Sequence, residues 1–482
     1  MTDLAFTSAL DLAALIKARE ISSTELTQMY IDRIERYDTD INAVVVRTFD
    51  RALKDASDAD KALNAGQDLG PLHGVPMTIK ESYVMANTPT TWGIPEFKEN
   101  VSTTDGLSVA RFRAAGAHFL GKTNVPLQLG DFQSYNDIYG QTGNPFDLGR
   151  TPGGSSGGSA AALAAGLTGL EAGSDIGGSI RNPAHFCGVY GHKPTYGVIP
   201  LRGHELLPNL PDVDLAVCGP LARSAADLHS ALDIMAGPIS RDIGRKVDLP
   251  ATSLKSFKAL RVALWANEEM APVASEISER VAEVGRILEA NGAQVSTTAR
   301  PGFSTAEAHE TYMTLLNAVM SMNTPDDVYA QTAADVAALA PGDKSTEAVM
   351  ARSMVLSHRD WLRYDTLREQ HRYAWDAYFN DWDILICPQM ALPAFEHDHR
   401  PMVERRLLVD NVEQDYFTQL FWSGLITNSY LPSTVFPTGL SRGGLPIGLQ
   451  AVGAPFRDHR TIEFANLITR HIGGFTPPPA YA

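Results

Sequence analysis

Residues 153–195 read GGSSGGSAAALAAGLTGLEAGSDIGGSIRNPAHFCGVYGHKPT and contain two clusters of glycine and serine. The first cluster covers residues 153–159 and the second covers residues 175–179. Glycine lets the backbone adopt positive φ angles and approach a ligand closely. Successive turns of this kind can point several backbone N–H groups at one negatively charged atom. Because serines within such turns can act as nucleophiles or carry protons, the stretch predicts an enzyme of acyl transfer.

Two short motifs offer other interpretations of the glycine–serine stretch. A phosphate-binding loop requires a lysine directly after its last glycine, and no lysine follows these glycines. The nucleophile elbow of α/β-hydrolases, G-x-S-x-G, is matched by residues 153–157. That elbow should follow an apolar strand, whereas residues 147–152 read DLGRTP. The sequence therefore argues against a phosphate-binding loop and gives little support to a hydrolase elbow.

Composition narrows the class of protein. The 482 residues are 44% hydrophobic and 20% charged, which is ordinary for a globular protein with one large α/β domain or two domains. The net charge of −16 argues against a nucleic-acid partner, because such proteins concentrate lysine and arginine. Cys187, Cys218 and Cys387 are too far apart for a metal or CxxC motif and predict buried, reduced thiols. Without a signal-peptide pattern or an apolar stretch of about 18 residues, we expect a cytoplasmic protein without membrane contact.

The periodicity of apolar residues predicts alternating helices and strands. A capping box at 22–25 begins the second of two N-terminal helices. The other predicted elements are strands over 75–80, 117–120, 260–265, 431–436 and 445–452, and helices over 107–115, 160–167, 274–290, 346–378 and 460–471. A change of composition near 237–258 separates a glycine-rich half from a more helical half. Because strands recur at both ends of the chain, we expect the two halves to share one sheet.

Several segments together resemble the amidase signature family of serine hydrolases. The matching segments are residues 73–80 (HGVPMTIK), 121–124 (GKTN), 153–195, 219–224 (GPLARS) and 444–450 (GLPIGLQ). The resemblance implies an α/β fold in which helices cover both faces of a large mixed β-sheet. It also implies a single amidase domain over 1–482, with a signature core at about 70–230 and a more variable, helical substrate-side region at about 240–430.

Carried over residue by residue, the resemblance implies a catalytic triad of Lys80, Ser155 and Ser179. Ser179 is expected to attack the carbonyl and form an acyl-enzyme, while Ser155 carries protons between Lys80, Ser179 and the leaving amine. A serine hydroxyl is a weak nucleophile until a base takes its proton. Lysine can be that base only when it is neutral, which requires burial or a nearby positive charge.

The substrate is expected to meet two further sets of residues. The oxyanion hole is expected on the backbone N–H groups of Ile176, Gly177, Gly178 and Ser179. Spacing without gaps places Leu129 near the acyl group, and Phe132 is an aromatic neighbour in the same loop. Trp92 is another aromatic residue close to Lys80 in sequence. These side chains favour a hydrophobic or aromatic amide, including an anilide or carbamate, over a small polar one.

Supporting residues and cofactors are also expected from the resemblance. Arg181 should pair with an acid, and Ser174 and Asp175 should be structural hydrogen-bonding residues. His192 occupies a position where the family more often has leucine, so it is expected either to touch the substrate or to be a buried, hydrogen-bonded histidine. The HDH motif at 397–399 lacks a third ligand, so neither a metal nor a cofactor is implied.

Two other functions remain open at this stage. The amidase component of a tRNA-dependent amidotransferase has the same triad, but the chain lacks the SSGYYDAYY-like stretch associated with that component. The other alternative is a catalytically silent binding protein on the same fold, and the presence of all three triad residues argues against it. The expected partner is a small amide substrate, and the family suggests a homodimer.

Overall fold

Helices and strands alternate along the computed structural model, which describes residues 4–252, 254–343 and 345–482. The α-helices are α1 (Ala9–Lys17), α2 (Ser23–Ile41), α3 (Phe49–Asn64), α4 (Leu107–Ala114), α5 (Gly157–Ala164), α6 (Arg181–Cys187), α7 (Ala225–Met235), α8 (Ser275–Ala290), α9 (Thr305–Met320), α10 (Asp326–Ala338), α11 (Thr346–Met354), α12 (His358–Asp381), α13 (Leu420–Thr427) and α14 (Asp458–Ile472). The β-strands are β1 (Val44–Arg47), β2 (Pro76–Lys80), β3 (His118–Thr123), β4 (Tyr135–Asn136), β5 (Gly140–Gln141), β6 (Glu171–Asp175), β7 (Tyr190–Lys193), β8 (Val217–Ala222), β9 (Arg261–Leu264), β10 (Gln294–Ser296), β11 (Ile384–Pro388), β12 (Arg406–Val409), β13 (Val412–Asp415), β14 (Ser433–Leu440) and β15 (Pro446–Val452).

A mixed sheet of eight strands forms the centre of the described part of the chain. Its strand order is β10-β9-β11-β15-β14-β7-β8-β6. Strand β9 is parallel to both of its neighbours, whereas each pairing from β11 to β6 is antiparallel. Strands β6 to β8 come from the first half of the chain and the other five come from the second half. The prediction that the two halves share one sheet is therefore confirmed.

Helices cover both faces of this sheet. In β14 the Thr434 hydroxyl is 2.8 Å from the hydroxyl of Thr461 in α14. The next residue, Val435, belongs to a buried apolar cluster that includes Ala184 of α6. Successive side chains of a strand point to opposite faces, so α14 and α6 lie on opposite sides of the sheet. The predicted mixed α/β architecture is confirmed.

A smaller sheet, in the order β1-β3-β2, positions Lys80. Strand β2 pairs in parallel with β3 on one side. On its other side the Thr78 N–H donates to the Leu170 carbonyl at 3.3 Å, and the Thr78 hydroxyl donates to the Glu171 carboxyl group at 2.5 Å. Because β2 lies alongside β6, the end of β2 brings Lys80 to the second glycine–serine cluster.

The predicted helix over 346–378 is wrong, because two helices occupy this range. Helix α11 ends at Met354 and α12 begins at His358. Ser357 caps α12, since its hydroxyl accepts the N–H of Asp360 at 3.1 Å. A serine followed three residues later by an acid is a signal for a new helix, and here it outweighs the continuous polar periodicity.

Helix α5 begins at Gly157, three residues before the start predicted from its alanines. Glycine has low helix propensity, so residues 157 and 158 favour a loop when the sequence is considered alone. Packing explains the difference, because a Cβ atom on Gly158 would lie 2.3 Å from the backbone N of Asn124. These glycines allow a helix to contact the β3 region closely.

Two expectations from composition can be compared with the structure. Cys187, Cys218 and Cys387 are buried and form no disulfide, as predicted. None of the described helices is both long enough and apolar enough to cross a membrane.

Candidate active site

Lys80 lies at the end of β2 and is fully buried. Its Nζ atom is 2.6 Å from Ser155 Oγ and 2.9 Å from Ser174 Oγ. Burial lowers the pKa of Lys80 to about 7, although the charge of nearby Asp175 acts in the opposite direction. A large share of Lys80 is therefore neutral near physiological pH and can accept a proton.

Ser155 and Ser179 lie in two loops that are tied together by hydrogen bonds. The Ser156 N–H donates to the Ser179 carbonyl at 3.1 Å. The Asn182 side chain accepts the Gly154 N–H at 3.1 Å and donates to the Gly154 carbonyl at 2.6 Å. Ser155 is 1% exposed and Ser179 is 8% exposed. The structure thus brings the two predicted serines into neighbouring loops, and Ser179 is the more accessible of the two.

Asp175, the last residue of β6, holds the second loop in shape. Its carboxylate accepts the N–H groups of Gly178 at 2.9 Å and Ile180 at 3.1 Å. It also accepts two hydrogen bonds from the buried Arg181 guanidinium, at 2.9 and 3.0 Å. Burial would raise the pKa of Asp175, but the Arg181 charge and the donated hydrogen bonds keep it below its usual value. The predicted pairing of Arg181 with an acid is confirmed.

The geometry does not support one member of the predicted oxyanion hole. The Gly178 N–H donates to Asp175 Oδ1, so it is already used within the protein. The N–H groups of Ile176, Gly177 and Ser179 donate to no backbone or side-chain acceptor in the described residues outside regular strand pairing. Those three groups can therefore serve a ligand, whereas Gly178 supports the loop.

A buried apolar cluster lies next to this loop and includes Phe132 together with Ile176. The Tyr312 hydroxyl donates to the Ile176 carbonyl at 2.9 Å. A Cβ atom on Gly177 would lie 3.0 Å from Leu420 Cδ2, so this leucine packs directly against the loop. Phe132, a predicted substrate contact, thus lies in apolar surroundings that reach the second glycine–serine cluster.

Leu129, the other predicted substrate contact, lies in a turn against Trp92. The Gln128 N–H donates to the Trp92 carbonyl at 2.7 Å. The Trp92 N–H in turn donates to the carboxylate of Glu81 at 3.0 Å, and Glu81 directly follows Lys80. Leu129 and Phe132 therefore have different neighbours, with Leu129 on the Lys80 side of the site.

His192 is a buried, hydrogen-bonded residue, which is one of its two predicted roles. Its side chain is fully buried in β7. Its Nδ1 atom is 2.9 Å from Thr434 Oγ1 and its Nε2 atom is 3.2 Å from Asp458 Oδ1. Both ring nitrogens are thus used to connect β7 with β14 and α14.

Within the described residues, one group could hold a metal ion, and it consists of His229, Asp233 and His459. His459 Nε2 is 2.8 Å from Asp233 Oδ1, and the two histidine rings stack with their centroids 4.1 Å apart. The three residues lie on α7 and α14, which carry none of the predicted catalytic residues. This group therefore stands apart from the chemistry at Lys80.

Comparisons with known proteins identify the family and the fold. A family model described as Amidase matches residues 25–462. An acylamidase of Rhodococcus erythropolis is 32% identical over 472 residues, which are 96% of this chain and 95% of that protein. One subunit of the glutamyl-tRNA(Gln) amidotransferase of Heliobacterium modesticaldum is also 32% identical, with 95% of each chain covered. A solved bacterial aryl acylamidase of the amidase signature family has a TM-score of 0.80 with 24% identity, covering 99% of this chain and 97% of its own, which speaks for the fold.

Proposed function

The chain belongs to the Amidase family, and from that premise we propose that it hydrolyses a carboxylic amide to an acid and an amine or ammonia through Lys80, Ser155 and Ser179. The observation that carries the proposal is the contact of 2.6 Å between the buried Lys80 amine and Ser155. A lysine whose pKa is lowered to about 7 can act as a base where an ordinary lysine cannot.

The first step transfers two protons and forms one bond. Neutral Lys80 takes the proton of Ser155 as Ser155 takes the proton of Ser179. The Ser179 oxygen then attacks the carbonyl carbon, and the C=O electron pair moves to the carbonyl oxygen. Activation by a neighbouring base is what makes a serine hydroxyl a competent nucleophile.

The negative oxygen of the tetrahedral intermediate requires hydrogen-bond donors. We assign this role to the backbone N–H groups of Ile176, Gly177 and Ser179, since Gly178 donates to Asp175. Loss of one such donor typically costs roughly 3–4 kcal/mol of transition-state stabilisation. The bonds between Asp175 and Arg181 keep the loop in place, so the donors are oriented before the substrate arrives.

The second half of the reaction reverses these proton movements. The intermediate collapses, the C–N bond breaks, and Ser155 gives its proton to the leaving nitrogen while Lys80 returns a proton to Ser155. Water then attacks the acyl-enzyme with the same groups acting as base, which releases the acid and restores Ser179. Every step uses only groups of the chain, the amide and water.

The side chains near the loop favour a hydrophobic acyl group. Phe132, Ile176 and Leu420 present apolar surface beside the donors for the oxyanion. The relative named as an acylamidase supports hydrolysis of an amide of an acyl group. The equally similar amidotransferase component supports a second candidate, in which the chain releases ammonia for a partner.

Two measurements on the purified chain separate these functions. We expect the chain alone to hydrolyse an anilide of a hydrophobic acid, and a fluorophosphonate probe to label Ser179 by peptide mass spectrometry. Activity restricted to glutamine and dependent on a partner would favour the amidotransferase component. Label on Ser155 would favour a hydrolase elbow, and a chain that neither labels nor hydrolyses amides would contradict the proposal.

Replacing Gly178 with alanine should slow fluorophosphonate labelling by at least about tenfold. Gly178 has φ = +104°, and a Cβ atom there would lie 2.4 Å from Ser423 Oγ and 2.8 Å from Gln389 Nε2. Either the loop or these two side chains must therefore shift, and the positive φ strains an alanine in any case. The matched control is Gly197→Ala, because Gly197 also has a positive φ of +83° but has nothing within 4 Å of the added Cβ. Equal labelling rates in the two variants would contradict the assigned role of the loop.

A further inference from the structure

Two aromatic rings on the Lys80 side of the site have no role in the mechanism above. The ring of His204 has its centroid 5.2 Å from that of Tyr83, nearly perpendicular at 78°. It is also 5.3 Å from the ring of Trp92, with a tilt of 41°. His204 and Trp92 are both only partly buried. Part of each residue therefore remains exposed to solvent.

Tyr83 connects these rings to Lys80. The Tyr83 N–H donates to the Lys80 carbonyl at 3.1 Å. The Tyr83 hydroxyl donates at 2.7 Å to the carbonyl of Gly173, whose neighbour Ser174 contacts Lys80 Nζ. Burial lowers the pKa of His204 to about 3, and the charge of Lys80 contributes to this shift. His204 is thus a neutral ring within the electrostatic reach of Lys80.

Backbone contacts fix both rings in place. The loop before His204 packs closely, since a Cβ atom on Gly203 would lie 2.3 Å from the Cα of Gly106. The Trp92 backbone N–H donates to Glu81 at 3.0 Å, and its indole N–H donates to the Ser82 carbonyl at 3.1 Å. Because both rings are held in place before a ligand binds, little side-chain entropy is lost on binding.

The proposed mechanism places the leaving amine on the same side. The amine takes its proton from Ser155, which is in contact with Lys80. The same mechanism assigns the carbonyl oxygen to the second glycine–serine cluster and the acyl group to the apolar residues around Phe132. We propose that Trp92 and His204 form a subsite for the leaving amine and that this subsite takes a neutral, planar aromatic amine. The inference rests on the proposed function and adds the two residues that select an aromatic amine.

The chemistry of the subsite favours a ring over a charged amine. Aromatic pairs prefer tilted or offset contacts at the separations seen here, and a third planar ring can adopt the same geometry against both residues. The neighbouring carboxylate of Glu81 is not available to pair with a cation, because it accepts the N–H groups of Thr91 and Trp92. An arylamine fits these surroundings without leaving a charge unpaired.

The test compares three amides of one acid, 3-phenylpropanoic acid, namely the anilide, the N-cyclohexylamide and the primary amide. We expect Trp92→Leu and His204→Leu each to lower the ratio of kcat/KM for the anilide to that for the primary amide by about tenfold. The cyclohexylamide has a similar size without an aromatic face. The ratio of kcat/KM for the cyclohexylamide to that for the primary amide should therefore change less in both variants. The matched control is Phe132→Leu on the acyl side, which should lower all three values by similar factors.

If Trp92→Leu and His204→Leu both keep the anilide-to-primary-amide ratio of kcat/KM within about twofold of wild type, the proposal is overturned. An equal loss for all three amides would also overturn it, because that result indicates a structural role. If the wild-type chain is labelled by the fluorophosphonate but cleaves none of the three amides, the proposed activity fails on these substrates, and protection from labelling then tests the subsite alone. Protection of wild type by aniline but not by cyclohexylamine, lost in Trp92→Leu, would support the subsite. Equal protection by both amines, or by neither, would contradict it.

Discussion

Replacing Ser179 with alanine should reduce amide hydrolysis by about 10⁴-fold or more, because the variant has no oxygen that can form the acyl-enzyme. The remaining rate would come from binding and the oxyanion donors alone. The measurement is kcat/KM on an anilide together with fluorophosphonate labelling, which should disappear. Thermal unfolding should change little, since the Ser179 hydroxyl makes no hydrogen bond with the part of the chain that the structure describes.

Ser156→Ala is the matched control for this substitution. Ser156 is a buried serine of the same pair of loops, and among the described residues its hydroxyl donates only a long hydrogen bond of 3.4 Å, to the Ser174 carbonyl. Its loss should lower kcat/KM by less than about tenfold. An active Ser179→Ala variant, or equal inactivation of both variants, would exclude Ser179 as the nucleophile.

Most of the fold can be predicted from the sequence because local signals agree with the tertiary structure. The capping box at Ser22 and Glu25 is present, and the strands predicted near 75–80 and 445–452 occur as β2 and β15. The predicted helix bounds are wrong where two local signals in the sequence favour different structures. Ser357 divides a continuous helical periodicity, and Gly158 lies in a helix that propensity alone would not predict.

The site is only partly predictable from sequence. Lys80, Ser155 and Ser179 stand out because they lie in segments that resemble one family. The use of the Gly178 N–H by Asp175 depends on the three-dimensional shape of the loop, which spacing does not specify. His204 lies outside every motif, and its position depends on the close approach of distant backbone segments. Contacts of this kind leave no periodic or compositional signal.

Replacing Lys80 with methionine should lower kcat/KM for an amide by about 10³- to 10⁴-fold. Methionine fills a similar volume and removes the amine that contacts Ser155 at 2.6 Å. Burial already disfavours the charge of this amine, so the main cost in folding is the loss of its contacts with the Ser155 and Ser174 hydroxyls, about 1–3 kcal/mol, which a chain of this size can tolerate. We therefore expect a folded variant that reacts slowly with fluorophosphonate. A variant with unchanged kcat/KM would contradict the proposed base.

The pH dependence of kcat/KM distinguishes Lys80 from a second buried lysine. Lys80 must be neutral to act, so below its pKa of about 7 the wild-type rate should fall by about tenfold per pH unit, and above it the rate should level off. Burial also lowers the pKa of Lys193 to about 7, but its Nζ donates to the Pro194 carbonyl at 3.0 Å and has no contact with Ser155. Lys193→Met should therefore keep the fall in kcat/KM below about pH 7, whereas the residual activity of Lys80→Met should no longer show it. Because burial lowers the pKa of both lysines to about 7, the pair of variants is needed to assign this fall in rate, and its disappearance in Lys193→Met would transfer the role of base away from Lys80.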